Sequence, residues 1–336
     1  MRTNHRAYMV ALGGAPLAAF ADPAMSYLHT HGPAGDPATR LGWGLGIVSI
    51  IVVLVITFLL LAAVLRRRAR DADPQALAVN RDEGGMRWLY IGVGVSTVVL
   101  IACAVWTMFT VAAVAMPAHT GLTLQVTAAQ WWWSVRYESH EPDRIFTTAN
   151  EIHIPVGTPV RIELKSQDVI HSFWIPKLGG KMDVIPGQTN VTWLQADEPG
   201  TYRGQCGEYC GAQHAHMAMF VIADTPADYA LWVRDQLQDA AEPATEPARL
   251  HEQVFVAHCA ACHAVRGTQA GGILGPDLTH LMSRRTIAAG LLPNTPGNLA
   301  AWIADSQALK PGSRMPSLLL SGGDLSAVMN YLQTLH

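Results

Sequence analysis

Two long stretches of this chain carry no charged side chain. The first runs from 41 to 65 ("LGWGLGIVSIIVVLVITFLLLAAVL") and the second from Trp88 to Met116. A helix that crosses a hydrocarbon layer about 30 Å thick needs roughly 20 such residues. Buried helices of soluble proteins seldom run so far without a charge. Two spans joined by a short connection make a transmembrane helical hairpin, and the rest of the chain must fold on one side of it or the other.

Charge sets the direction. Arg66, Arg67, Arg68 and Arg70 follow the first span, and Arg81 and Arg87 complete the connecting loop. Short loops rich in Lys and Arg stay in the cytoplasm. The long C-terminal part is therefore expected on the periplasmic, outer face of a bacterial-type inner membrane, with lipid around the hairpin. The net charge is −3 over 336 residues, half of them hydrophobic. A nucleic-acid binder would need a basic surface to neutralise phosphates, and this balance argues against one, so no nucleic acid is expected as a partner. Within segment 1–40, Arg2 and Arg6, an apolar run and "AFA" at 19–21 have the layout of a signal peptide, although "GGAP" interrupts the run. An uncleaved N-terminal segment is the alternative.

From Gly121 onward β-branched, partly alternating segments appear: "LTLQVTAAQWWWSVRY", "EIHIPVGTPVRIELKS" and "TNVTWLQADEPGTYRG", separated by Pro, Gly, Asn and Asp. Many short strands at close spacing predict an antiparallel β-sandwich or barrel over 121–240. "TPADYALWVRDQLQ" (225–238) reads as its closing helix, capped by Thr225 with Pro226 in the first turn. "DAAEPATEPAR" (239–249) has the composition of a solvated, flexible linker, assigned to 241–249. Helical runs near 250–260, 297–308 and 323–334 predict a small all-α domain over 250–336. The whole is a multidomain membrane protein: a hairpin over 41–120, a β domain, a linker and an α domain.

Of the five cysteines, Cys103 lies in the second span and reads as a small apolar residue. The others form two close pairs, Cys206/Cys210 and Cys259/Cys262, which an outward-facing protein could join as disulfides. The second pair belongs to "CAACH" (259–263), the attachment pattern of a c-type haem. Its thiols bond to the porphyrin, and His263 follows as the proximal ligand. Haem iron in electron-transfer cytochromes takes a sulfur ligand opposite the histidine. Met315, in the Gly/Pro-rich "KPGSRMPSL", is the choice here, while Met282 and Met329 fit apolar helix faces. The segment 250–336 resembles a class I cytochrome c, and the likeness implies that Pro276 accepts a hydrogen bond from His263. Haem attachment of this kind occurs outside the cytoplasm, in agreement with the arginine-derived orientation.

The first pair sits in "RGQCGEYCGAQHAHMAM" (203–219), where Cys206, Cys210, His214 and Met217 lie within twelve positions. Thiolate, imidazole and thioether together favour copper over hard cations, and zinc has little use for the thioether. Two cysteines at this spacing can bridge two coppers, which then need a second imidazole from another strand or loop. His171 in "SQDVIHSFWIPKLGGKMDVIPG" supplies it, and His216 reads as a neighbour that points away.

With these residues assembled, the chain resembles subunit II of cytochrome c oxidase: a two-helix hairpin followed by a cupredoxin-like sandwich with the dinuclear copper centre CuA. The pattern C-x-E-x-C-x3-H-x2-M is met at every position from Cys206 to Met217. The resemblance covers about 40–240, with the cytochrome appended, as in the cytochrome-c-fused oxidases. It implies that Cys206 and Cys210 bridge the coppers, that His171 and His214 bind one each, and that Met217 is a weak axial ligand. By the same likeness Glu208 binds through its backbone carbonyl, and its carboxylate reaches a magnesium ion at the boundary with subunit I. Trp131, the first tryptophan of "AAQWWWSVRY", is the implied electron-entry residue, while Trp132 and Trp133 fit an interfacial or core cluster. Many members carry a glutamate shortly before the second span, near a proton-uptake path. In "DEGGMRW" Glu83 lies further back, and that role is not assigned to it.

The implied function is that of the electron-entry subunit of a haem-copper oxidase. Electrons pass from a soluble donor, such as a cytochrome c, through haem c and CuA to subunit I, where O2 is reduced to water with proton translocation. The implied partners are subunit I, the other oxidase subunits and that donor. Neither span contains a histidine to hold a buried haem, so this chain alone is not expected to reduce O2. A membrane-anchored copper chaperone or thiol reductase would need βαβ alternation, and a quinol-accepting subunit II lacks the copper ligands. A CuA-bearing subunit of a nitric oxide reductase remains the alternative, because the gas chemistry takes place on another chain.

Overall fold

The computed structural model describes residues 23–65, 85–115, 117 and 119–336. The signal-peptide layout at 1–22, the arginines at 66–81 and Glu83 lie outside them. Both apolar stretches are helices, α1 (Asp36–Leu65) and α2 (Gly85–Ala113), and each is long and apolar enough to cross a membrane. Their large apolar side chains face outward along nearly the whole length, as hydrocarbon surroundings allow. The helices pack on each other where Gly44 meets Trp106: a Cβ on Gly44 would stand 2.2 Å from the indole ring.

The β domain is a sandwich of cupredoxin-like architecture. One sheet has the order β3-β2-β1-β5-β8, built from β1 (Leu122–Ala129), β2 (Trp132–Tyr137), β3 (Phe146–Ala149), β5 (Val160–Ser166) and β8 (Asn190–Leu194). The facing sheet has the order β4-β10-β9, from β4 (Glu151–Pro155), β10 (Ala218–Asp224) and β9 (Gly200–Gln205). A short ribbon pairs β6 (His171–Phe173) with β7 (Met182–Val184). Most neighbours are antiparallel, as the close strand spacing predicts. Two pairs run parallel, β1 with β5 and β4 with β10, because the chain leaves each sheet and comes back to it. Alternate residues Leu124, Val126 and Ala128 of β1 and Ile162 and Leu164 of β5 are fully buried between the sheets. The period-2 pattern of these strands is the cause: one face meets the core and the other the outside.

Helix α3 (Pro226–Gln236) begins where expected, with the Thr225 hydroxyl accepting from Asp228 N and proline in the first turn. Its Trp232 stacks on His153, ring centres 4.1 Å apart, and closes the sandwich edge.

The C-terminal domain contains α4 (Glu246–Cys259), a two-stranded ribbon of β11 (Thr286–Ile287) and β12 (Leu292–Pro293), α5 (Pro296–Ala304), α6 (Ser306–Leu309) and α7 (Gly322–Leu332). Helix α4 starts at Glu246, inside the stretch read as linker, because Thr245 accepts from Ala248 N and Pro247 fits the first turn. The α4–α7 crossing buries Phe255 against Tyr331, ring centres 5.0 Å apart, with Leu299 and Ile303 of α5 completing a separate core.

The two extramembrane domains are in direct contact. The amide of Ala218, the first residue of β10, donates to Ala289 O at 3.0 Å. The buried Glu151 carboxylate of β4 accepts from the amides of Arg285 and Thr286 at 2.7 and 3.1 Å. The composition of 239–249 points to a loose tether, yet the domain beyond it is seated on the sandwich.

Candidate functional site

Strands β9 and β10 are joined by a loop, Cys206 to Met217, that folds its donor atoms into one buried cluster. Cys206 Sγ lies 3.7 Å from Cys210 Sγ. His171 Nδ1 stands 3.8 Å from Cys206 Sγ, and His214 Nδ1 3.6 Å from Cys210 Sγ. Met217 Sδ is 3.9 Å from Cys210 Sγ, and Glu208 O is 3.3 Å from Cys206 Sγ. All six residues singled out in the sequence are thus gathered, each histidine facing a different sulfur. Both thiols are free. Two thiolates sharing an ion at metal–sulfur bonds of about 2.3 Å can be at most about 4.6 Å apart, and this pair lies within that reach.

The electrostatics suit a cation. The contact with Cys210 pulls the Cys206 thiol well down, and the same contact, together with burial, pushes Cys210 up. One sulfur ionises readily and the other resists while it faces a thiolate, a penalty that a soft cation between them removes. The donor set therefore fits copper.

Behind the cluster, Asp168 Oδ1 accepts from His171 Nε2 at 2.8 Å, which leaves Nδ1 to face the sulfurs. Its other oxygen accepts from Gln130 N at 2.7 Å. Burial alone would raise the Asp168 carboxyl, but the donors of His171, Gln130 and Val169 outweigh it and hold it below the usual range. His216 points away, as expected, with its Nδ1 2.7 Å from Gln213 Oε1. The Glu208 carboxylate turns outward, 4.0 Å from Lys181 Nζ.

The second site is a cavity of about 430 Å³ in the C-terminal domain. Cys259, Cys262, His263 and Met315 all lie on its wall; Met282 and Met329 do not. The C-x-x-C-H run sits where α4 ends, with the amides of Cys262 and His263 both donating to Cys259 O at 3.1 and 3.0 Å. Burial holds the His263 imidazole neutral, and its Nδ1–H donates to Pro276 O at 2.8 Å, so Nε2 is left with its lone pair. Gly275 permits that approach: a Cβ there would stand 2.6 Å from the ring. The wall is otherwise mostly apolar, with one buried guanidinium, Arg284, whose Nε has no hydrogen-bond partner among the described residues. Two thiols, an oriented imidazole, a thioether and a cation suited to carboxylates fit a c-type haem.

The two sites share a wall. Trp131 Nε1 donates to Cys210 O at 3.0 Å, and the same residue lines the cavity. Trp132 also lines it, whereas Trp133 is fully buried, edge-on to His171 and Phe173. Sequence reasoning missed Asp168, although its spacing three residues before His171 was a usable signal. It also missed Arg284 and Lys310, for which no local pattern exists.

Residues 122–224 match the family described as cytochrome c oxidase subunit II, periplasmic domain, and residues 252–336 match cytochrome c. A cytochrome c oxidase subunit 2 from Alkalihalophilus pseudofirmus is 39% identical over 290 residues, covering 85% of this chain and 82% of that one. The chain belongs to the cytochrome c oxidase subunit 2 family. The subunit 2 of Bacillus subtilis is 30% identical over 229 residues, covering 65% of this chain and 63% of its own. Among solved structures, the periplasmic domain of subunit II from Bradyrhizobium japonicum is 33% identical, covers 36% of this chain and 96% of that one, and superposes with a TM-score of 0.33. As a family member with two helices able to span a membrane and a domain matching the family's periplasmic one, the chain is a membrane protein with periplasmic domains, and its oxidoreductase function is that of an oxidase subunit.

Asp168→Asn replaces the acceptor that orients His171 with an amide. Copper affinity, measured by competition with a chelator, should fall about 10- to 100-fold while the fold is kept. Unchanged affinity would show that Asp168 does not orient the ligand.

Proposed function

We propose that the chain is the electron-entry subunit of a haem-copper terminal oxidase in a bacterial inner membrane. In this reading it passes electrons from a soluble donor, such as a cytochrome c, to subunit I, where O2 is reduced to water with proton translocation. Cys206 and Cys210 would bridge the two coppers of CuA, with His171 and His214 as terminal ligands, Met217 as a weak axial ligand and Glu208 contributing its carbonyl. Cys259 and Cys262 would hold the haem covalently, with His263 and Met315 as axial ligands. When bound, these groups supply two one-electron carriers in series. The magnesium ion at the subunit I boundary is carried to the Glu208 carboxylate, which faces outward. The domains at 121–240 and 250–336 are the corresponding functional units.

The observation that carries this reading is the shared wall. Trp131 hydrogen-bonds the carbonyl of Cys210 while lining the cavity that holds His263 and Met315. Burial of Cys206, Cys210 and Met217 keeps water off the sulfur ligands. A preorganised donor set changes little on gain or loss of an electron, which keeps the reorganisation cost low. Among the described residues, neither membrane helix carries a histidine that could hold a catalytic metal, so reduction of the gas is assigned to subunit I.

Two substitutions test the assignment. Met315→Ala should abolish the near-infrared sulfur-to-iron band of the oxidised protein while the haem stays covalently attached. If Met282→Ala does this instead, the axial ligand is misassigned. Cys206→Ser puts a hard, weakly binding hydroxyl in place of a bridging thiolate. In the assembled oxidase, a donor should still reduce haem c rapidly while O2 consumption collapses. Near-normal turnover in Cys206→Ser would mean that electrons bypass the copper.

A further inference from the structure

The contact between the two redox domains is organised around one buried cation. Lys310 precedes the loop that carries Met315 and is 3% exposed. Its ammonium donates to Trp131 O at 2.8 Å, His216 O at 2.7 Å and Ala288 O at 2.9 Å. The three donors of an ammonium are thereby all used. Two acceptors belong to the copper domain: one is the backbone of Trp131, the other lies in the copper-binding loop beside Met217. The third belongs to the haem domain. Among the described residues no carboxylate forms an ion pair with Lys310. A charge taken out of water with only carbonyl partners is costly unless its geometry is complete.

The haem domain accepts a second cost at the same place. Ala288 and Ala289 both have positive φ, 55° and 61°, a left-handed conformation that alanine seldom adopts. Their carbonyls are the ones that meet Lys310 Nζ and the amide of Ala218. Gly290 follows at φ 77°, and a Cβ there would stand 2.9 Å from the Cβ of Ala218. Beside them the buried Gln213 donates to Pro311 O at 2.9 Å, again from the copper loop to the residue next to Lys310. Backbone strain persists only where the surroundings over-determine it, and here the surroundings are the other domain.

We propose that Lys310 is a positioning residue that pins the haem-binding loop to the copper-binding loop, so that the haem domain holds one fixed pose on the copper domain and does not swing on its linker. The consequence for electron transfer rests on the electron-entry reading; the docking itself does not. The Arg314–Asp168 pair, 3.0 Å apart with the arginine half exposed, is a rim contact of the kind that salt weakens. The Lys310 contacts are buried and should resist salt.

The test uses the full-length, cofactor-loaded protein with a protease site placed in the linker between Ala241 and Thr245. After cleavage, wild-type haem domain should co-elute with the copper domain on size exclusion at both low and high salt. Lys310→Met keeps the length and apolarity of the side chain but orphans three carbonyls. It should weaken retention of the cleaved haem domain by about a hundredfold or more. Lys310→Gln, which can restore part of the bonding, should fall between the two, and it carries the test if Lys310→Met fails to load haem or copper. In the uncleaved variants, haem-to-copper electron transfer should become slower and dependent on solvent viscosity, whereas the wild-type rate should not respond to viscosity. Release of the wild-type domain on cleavage, its release by salt alone, or wild-type retention in both variants would overturn the proposal. Co-elution without any haem-to-copper transfer would leave the docking intact and reject the electron-entry reading instead.

Discussion

Trp131, together with its neighbour Gln130, belongs to both halves of the site. Its indole N–H is bonded to the carbonyl of Cys210, and the residue forms part of the haem cavity wall. That position requires the haem domain to lie against the sandwich, and the backbone carbonyl of the same residue accepts from the buried Lys310. In a chain lacking the C-terminal domain this wall of Trp131 would face outward. Here it is 7% exposed.

The fold divides its labour by environment. The hairpin carries outward-facing apolar side chains and anchors the sandwich, as where Trp193 Nε1 of β8 donates to Val114 O just beyond α2. The sandwich is rigid because β1 and β5 bury their alternating faces completely, and it holds a metal-binding loop whose donors come from β6 on one side and the β9–β10 connection on the other. Preorganisation of this kind is what an electron carrier needs: ligands that stay in position whatever the charge on the metal. Asp168 extends it outward, since one carboxylate fixes His171, receives the amide of Gln130 and meets Arg314 of the haem domain. The copper loop is therefore supported from within its own domain and from its neighbour.

How much of this was legible in the sequence depends on distance along the chain. Cys206 to Met217 and "CAACH" are donor sets compressed into one loop and one helix end, so residue type and spacing bring them out. His171 was reachable because a two-metal centre needs a second imidazole from elsewhere. The apolar spans and the Thr225 cap are local properties and were equally plain. What escaped were contacts between distant residues. Lys310 and Trp131 lie 179 positions apart, and nothing in "LKPG" marks a lysine that will be buried. The parallel pairings of β1 with β5 and β4 with β10 depend on how the chain returns to each sheet, which strand periodicity does not encode. The stretch 239–249 reads from its composition as a solvated, flexible linker, but composition says nothing about whether the domain beyond it docks, and Thr245 turns part of that stretch into the first turn of α4.

The central claim is that haem c and CuA act in series across the shared wall. It is tested most directly by injecting a single electron photochemically into haem c of the assembled oxidase and following haem c, CuA and the subunit I haem by their separate absorption bands. The account predicts that reoxidation of haem c and reduction of CuA proceed with one common rate constant, and that the subunit I haem is reduced only afterwards. Reduction of the subunit I haem while the CuA band stays silent would contradict it.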